Sequence, residues 1–291
     1  MKLTSTVIMG TYNGSAFVYD QLASILEQTS PVTKVIIRDD GSTDGTSKMI
    51  EQFIDHYGLH QTWDFQINDD QKGWRKNFMD MLTKIETDLV FFSDQDDIWY
   101  SDKVSTFLKA FSHEQQAELI VSDYDFQPKD QTLLTMYTLQ EKQAGCEGLF
   151  QLIPNVYNLA TYRPGCSMAL KESMIPSVIE TFNKIAIGPN GLAQSHDEAS
   201  WLTAILRGSL YHLAKPLFSR RSHADSTWQS EKKAHQHYFE TANREANFTA
   251  FVQSIDRELK HGHWQIEQLQ SDLKNEINLY VKDSKRRNEE I

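Results

Sequence analysis

Leu89-Val-Phe-Phe-Ser-Asp-Gln-Asp-Asp-Ile-Trp99 joins a short apolar run to a dense group of acids. Leu89 to Phe92 read as a buried strand, and Asp94, Asp96 and Asp97 crowd the positions just after it. Carboxylates this close repel one another and are costly to desolvate, so the group calls for a cation. Hard oxygen ligands suit Mg²⁺ or Mn²⁺, ions that commonly bridge protein carboxylates to a substrate's phosphates. A solvated acidic turn before a helix capped by Asp102 is the competing account.

The segments before this stretch set its context. Thr6 to Thr11, Val35 to Ile37 and Trp63 to Ile67 read as strands, and Leu119 to Ser122 extends the series beyond it. Between them, Val18, Leu22, Ile25 and Leu26 recur at helical spacing, as do Met49, Ile50, Phe53, Ile54 and Tyr57, then Phe78, Met81, Leu82 and Ile85. Strand–helix alternation predicts an α/β fold, a Rossmann-like, mostly parallel sheet with helices on both faces. Ligands of such sheets bind beyond the carboxyl ends of the strands. Here those ends carry Thr11-Tyr12-Asn13-Gly14, Arg38-Asp39-Asp40-Gly41-Ser42-Thr43-Asp44-Gly45 and the Asp94 group. Three polar segments distant in sequence are thus expected at one edge.

Gly41 and Gly45 permit a tight turn, and Asp44 or Ser42 offers a helix cap. A purely structural turn does not need two adjacent acids, and a carboxylate at Asp39 or Asp40 can accept hydrogen bonds from a ribose hydroxyl or a base N–H. Lys72, Arg75 and Lys76 place positive charge near a helix start, which suits a diphosphate as well as an ordinary exposed helix.

Taken in order, Thr11-Tyr12-Asn13, Arg38 to Thr46, Gly73-x-x-x-Asn77 and Ser93 to Trp99 resemble the family 2 glycosyltransferases of the GT-A fold. The Asp-Gln-Asp-Asp-Ile-Trp form is most similar to the bacterial rhamnosyltransferase-like branch, which builds surface polysaccharides. The resemblance covers roughly residues 4 to 228 and implies an inverting, metal-dependent transferase. It implies that Thr11, Asn13, Asp39, Asp40, Arg75, Asp94, Gln95 and Arg221 bind a nucleotide-sugar donor, with Asp39 at the base and Asp94 near ribose and sugar. Asp96 is expected to hold Mn²⁺ or Mg²⁺, with His223 of Arg221-Ser222-His223 completing the shell. Arg163 to Ala169 matches a segment lining donor sugar and acceptor. Asp197, in Ser195-His196-Asp197-Glu198, is the expected catalytic base, with Glu198 its competitor by adjacency and a helix cap as its plain alternative. The implied donor is a dTDP- or UDP-sugar carrying rhamnose or a hexose, and the implied acceptor a glycan or polyprenyl-linked glycan at the cytoplasmic membrane face.

Composition narrows the alternatives. The chain of 291 residues is 40% hydrophobic, enough for a substantial core, and its net charge of -11 argues against nucleic acid as partner. Two cysteines, Cys146 and Cys166, make neither a zinc site nor a disulfide framework, and a reducing cytoplasm is the expected setting. The start of the chain is too short in apolar residues for a signal peptide. The catalytic domain is expected over 1–230 and a helical hairpin over 231–291, with stripes Phe248, Val252, Ile255, Leu259 and Ile266, Leu269, Leu273, Ile277, Tyr280 around a turn at His261-Gly262-His263. That hairpin, ending in the basic run Lys282 to Arg287, is the candidate for homodimerisation, acceptor docking or peripheral membrane contact. A sugar-nucleotide nucleotidyltransferase is a rival, but it calls for a basic Gly-rich loop after the first strand, and Thr11 to Ser15 carries no base. A non-catalytic binding protein on the same fold is the other rival, and the presence of both the acid group and the late Asp197 counts against it.

Overall fold

The structure, a computed structural model, describes residues 3–127, 139–161, 163–221, 223, 226–236, 241–261 and 271–289. Strand and helix alternate through β1 (Ser5–Thr11), α1 (Val18–Leu26), β2 (Lys34–Asp39), α2 (Thr46–Tyr57), β3 (Trp63–Ile67), α3 (Trp74–Leu82) and β4 (Leu89–Ser93). After β5 (Ile98–Trp99), α4 (Lys103–His113) and β6 (Leu119–Gln127) comes a hairpin, β7 (Glu141–Gln143) and β8 (Leu149–Leu152). Then follow β9 (Met168–Lys171), α5 (Ile175–Lys184), α6 (His196–Arg207) and β10 (Leu210–Arg221). The last helices are α7 (Thr227–Ala234), α8 (Thr241–His261) and α9 (Ser271–Glu289).

All ten strands join one sheet in the order β3-β2-β1-β4-β9-β6-β10-β8-β7, with β5 paired to the end of β10. The first four strands are parallel, as helical crossovers require. β9 breaks that pattern by running antiparallel between β4 and β6. Its first residue, Met168, pairs with Val121, so the turn that precedes it, Gly165–Ser167, sits at the carboxyl edge of β4 and β6. One reversed strand thereby delivers a distant loop to the acid-bearing edge.

The continuous apolar reading of β4 has a direct cause: both of its faces are covered. Val7, Met9, Val35, Ile37, Leu89 and Phe91 pack with α1, α2 and α4 on one side. Ile8, Ile36, Val90 and Phe92 pack with α3, α5 and α6 on the other. Phe251, Val252, Ile255, Leu273, Ile277 and Val281, all from α8 and α9, belong to this second core. Residue 231 lies inside α7, and the hairpin stripes offered to a partner by sequence are buried against the chain's own core. Gly262, His263, Ile266 and Leu269 of the expected hairpin lie outside the described residues. Among the described residues, no helix is long and apolar enough to cross a membrane.

Phe251 is 1% exposed. Phe251→Ala should lower unfolding stability by about 3–5 kcal/mol, as large-to-small changes in a packed core do. A single cooperative urea transition with a reduced midpoint is expected. A variant that instead unfolds in two steps would show that α8 and α9 form a unit of their own.

Candidate active site

The loops after β1 and β2 form one wall of the site. Thr11 Oγ1 donates to Asp39 Oδ2 at 2.8 Å, and both residues are buried. Asp39 also accepts the Ser42 N–H at 2.8 Å, the Ser42 hydroxyl at 2.6 Å and the Ser47 hydroxyl at 3.0 Å. Gly41 at φ 86° makes the tight turn that aims these donors back at the strand end. Asn13, at φ 45°, accepts the Thr43 N–H at 2.9 Å and donates its own N–H to Ser42 Oγ at 2.8 Å. Gln95 ties the acid loop to the same wall, because its amide both donates to and accepts from the Tyr12 backbone at 2.9 Å. Gly14 permits that clasp: a Cβ there would lie 2.3 Å from the Gln95 side chain. Asp40 is turned to another task. It accepts the N–H groups of Lys72 and Gly73, each at 2.7 Å, and the Asn68 amide at 3.0 Å, ordering the loop ahead of α3.

The acids after β4 form the floor. Asp94, Asp97 and Cys166 each bring a ligand-type atom within 4.8 Å of the others. Burial, then the charges of Asp94 and Asp96, push the Asp97 carboxyl up to about 8. Burial, then Asp96, push Asp94 up to about 6. The Arg220 guanidinium works against both shifts. Nearer the rim, Asp96 Oδ2 and His223 Nε2 lie 2.7 Å apart, and Phe17 stacks on the His223 ring at 4.3 Å. Asp97 Oδ2 and His223 Nδ1 are buried with no hydrogen-bond partner.

These residues fit a hard divalent cation. Asp94 and Asp97, both raised by burial and by neighbouring negative charge, with one Asp97 oxygen unpartnered and Asp96 beside them, make a donor set such an ion satisfies. Cys166 is not part of that set, because burial pushes its thiol well up and a protonated thiol is a poor ligand.

The opposite wall is the start of α6. Ser195 caps this helix and Glu198 returns a side-chain bond to the Ser195 N–H, a capping box. Sequence left Asp197 and Glu198 as competitors and allowed Asp197 to be a cap. In the structure Ser195 and Glu198 form the capping box, and Asp197 adds bonds of its own to both. Asp197 Oδ2 accepts the Gly165 N–H at 3.2 Å, and Oδ1 accepts the Ser195 hydroxyl and the Glu198 N–H. Its charge is felt at Asp94, across the cleft. His196, 3% exposed, stacks on Phe78 at 4.1 Å with neither ring nitrogen bonded, and burial draws its imidazole down to about 4.

Desolvation, then the Asp197 charge, raise Glu198 from 4.5 to about 8. A carboxyl raised by folding takes up a proton in the native state, so its stabilising share is complete below 4.5 and is lost as pH climbs through 8. Glu198→Gln keeps a cap acceptor and removes this titration. The drop in melting temperature between pH 5 and pH 8.5 should therefore be smaller in the variant than in the parent, read by scanning calorimetry. Turnover should survive.

Two expected donor ligands are engaged elsewhere. Arg75 pairs with Glu231 at 2.9 Å and donates to the Ala193 carbonyl at 3.0 Å, on the α6 side of the cleft. Arg221 donates to the Asp96 carbonyl at 2.6 Å, to Asp20 at 2.9 Å and to the Phe17 carbonyl at 3.1 Å, so it braces the acid loop against α1. Sequence reading passed over Arg220 and Lys103. Arg220 faces Asp94, Asp97 and Cys166, while Lys103, 0% exposed, donates to the Cys166 carbonyl at 2.6 Å. Asp94, Asp96, Asp97, Asp197 and His223 come together; Asp40 and Arg75 stand outside that group.

The family profile described as "Glycosyl transferase family 2" matches residues 6–172. The dTDP-rhamnosyl transferase RfbG of Shigella flexneri is 38% identical over 99 residues, 33% of this chain and 34% of RfbG. The match thus spans only about a third of that relative. TuaG of Bacillus subtilis, described as a putative teichuronic acid biosynthesis glycosyltransferase, is 25% identical over 78% of this chain and 84% of its own. Among solved structures, the mannosyltransferase PcManGT of Pyrobaculum calidifontis, in complex with GDP-Man and Mn²⁺, superposes with a TM-score of 0.60 at 15% identity. That match covers 97% of this chain and 70% of PcManGT. S. aureus TarS 1-349 in complex with UDP-GlcNAc gives a TM-score of 0.59 at 15% identity, over 97% of this chain and 71% of that one. Likeness at this identity establishes the GT-A fold.

Proposed function

The chain belongs to glycosyl transferase family 2, and from that premise we propose that it moves a sugar, rhamnose or a hexose, from a dTDP- or UDP-sugar to a hydroxyl of a glycan or lipid-linked acceptor in bacterial surface polysaccharide synthesis. One observation carries the proposal. Asp197 is held at a helix start by the Gly165 turn, with Glu198 committed to the cap, and lies close enough to the acid group for its charge to act on Asp94.

The chemistry follows from those positions. The Asp39 wall takes the base and ribose, and Asp94 lies beside the sugar. Asp94, Asp96, Asp97 and His223 are the residues that would hold Mn²⁺ or Mg²⁺, whose charge offsets that of the leaving diphosphate. Asp197 accepts the proton of the acceptor hydroxyl as that oxygen attacks the anomeric carbon from the face opposite the diphosphate, and the configuration inverts. The Gly165 N–H, donating to Asp197 Oδ2 at 3.2 Å, fixes the orientation of the carboxylate. Arg220, behind the acids, limits their mutual repulsion. The basic residues at the end of α9 suit an anionic lipid surface near a lipid-linked acceptor; the side chains of Lys285, Arg286 and Arg287 lie outside the described residues.

A panel of UDP-, dTDP- and GDP-sugars with Mn²⁺ or Mg²⁺, scored for nucleoside-diphosphate release in the presence of glycan acceptors, tests the proposal. Release with one donor class is expected, and silence across all three overturns it.

A further inference from the structure

We propose that Lys103 is a positioning residue for sugar transfer, locking the Gly165–Ser167 turn between the acid group and Asp197. The inference rests on Asp197 being the base, as proposed above.

Lys103 opens α4, where a cation opposes the helix dipole and would ordinarily reach into water. It is instead 0% exposed, with Nζ 4.0 Å from the centre of the Trp99 ring and 4.5 Å from that of Phe218. An ammonium is costly to bury, and Lys103 Nζ donates a hydrogen bond, at 2.6 Å, to the main-chain carbonyl of Cys166. Asp97 and Asp94 lie near enough for their charges to act on the ammonium, but the hydrogen bond goes to the Cys166 carbonyl, which makes that carbonyl the object of interest.

The turn it holds has little slack. The Ser167 N–H and hydroxyl both bond to the Pro164 carbonyl, at 2.9 and 2.6 Å. A Cβ on Gly165 would lie 2.7 Å from His196 Nε2 and 3.2 Å from Asp197 Cβ, so the backbone rests directly on the start of α6. The Gly165 N–H supports Asp197 from one side of the turn, and the Cys166 side chain meets Asp94 and Asp97 on the other. Lys103 touches neither carboxylate directly through a hydrogen bond. Its pull on the Cys166 carbonyl sets the separation between them.

The test compares Lys103→Met with Lys109→Met, an exposed position on the same helix expected to behave as the parent. Lys103→Met should lower kcat by about a hundredfold, the cost of a base misplaced by about 1 Å, with the donor KM within about threefold. Hydrogen–deuterium exchange across 164–168 should quicken by about tenfold while the rest of the sheet keeps its protection. Lys103→Gln retains an N–H donor and should recover part of both losses; it carries the same two readings if the methionine variant does not fold. Unchanged kcat, a loss confined to donor KM, or unchanged exchange at 164–168 overturns the assignment. Should the parent itself release no nucleotide from any donor, the transferase reading falls, and the exchange experiment still decides whether Lys103 locks the turn.

Discussion

Asp197→Ala is expected to lower turnover by about three orders of magnitude, within the range for loss of a general base, while donor affinity stays within about threefold. The division follows from geometry. Asp197 bonds to the Gly165 turn and to the first turn of α6, away from the Asp39 wall. Asp197 Oδ1 shares the Ser195 hydroxyl and the Glu198 N–H with the capping box, but the box keeps its own reciprocal bonds between Ser195 and Glu198, so the helix start should persist in the variant. Single-turnover rates with saturating donor, set beside donor affinity by calorimetry, read the two effects apart. Equal losses of binding and turnover would mean that Asp197 holds the donor and is not the base.

Asp96→Ala should have the second large effect, on binding. Removing one of three crowded carboxylates takes away a proposed cation ligand and also relieves repulsion on Asp94 and Asp97, since Asp96 raises both. The metal-free variant should therefore melt at or above the parent's temperature. Added Mn²⁺ should stabilise the parent and leave the variant unmoved, because an ion that binds only the folded state stabilises by about 2.7 kcal/mol at a hundred times its Kd. Donor binding in the presence of Mn²⁺ should fall in parallel. A variant that melts lower than the parent and still responds to Mn²⁺ would make Asp96 a structural partner of His223.

Much of this arrangement was legible in the chain. Continuous apolar strands ending in Thr11, Asp39 and Asp94 announce a parallel sheet with a polar carboxyl edge, because period and strand ends are local properties. What a side chain does once it arrives at that edge is not local. Asp39 and Asp40 are adjacent acids, yet backbone and hydroxyl donors of the 41–47 loop and Thr11 surround the first, while the second orders the loop before α3. Lys103 looks like any solvated charge in a first helical turn, and only Trp99 and Phe218, brought together by pairing of β5 with β10, enclose it. Arg220 and Arg221 could not be told apart by strand alternation, because β10 changes register twice, between Leu213 and Pro216 and again before Ser219. Each irregularity resets which residues face inward. The buried roles of Phe251 and Ile277 were likewise hidden, since an amphipathic stripe shows that a face will be covered but not by what.

The clasp of Gln95 on the Tyr12 backbone has a thermodynamic meaning beyond its geometry. It joins the loop proposed to meet the nucleobase to the loop that carries the acids. A ligand that stills one loop has already met part of the entropy cost of stilling the other. By linkage the favour is mutual: if nucleotide and cation bind at these two loops as proposed, each should raise the affinity of the protein for the other by the same factor. Two loops joined by one amide thus couple the two proposed binding events, which should appear as cooperativity between them.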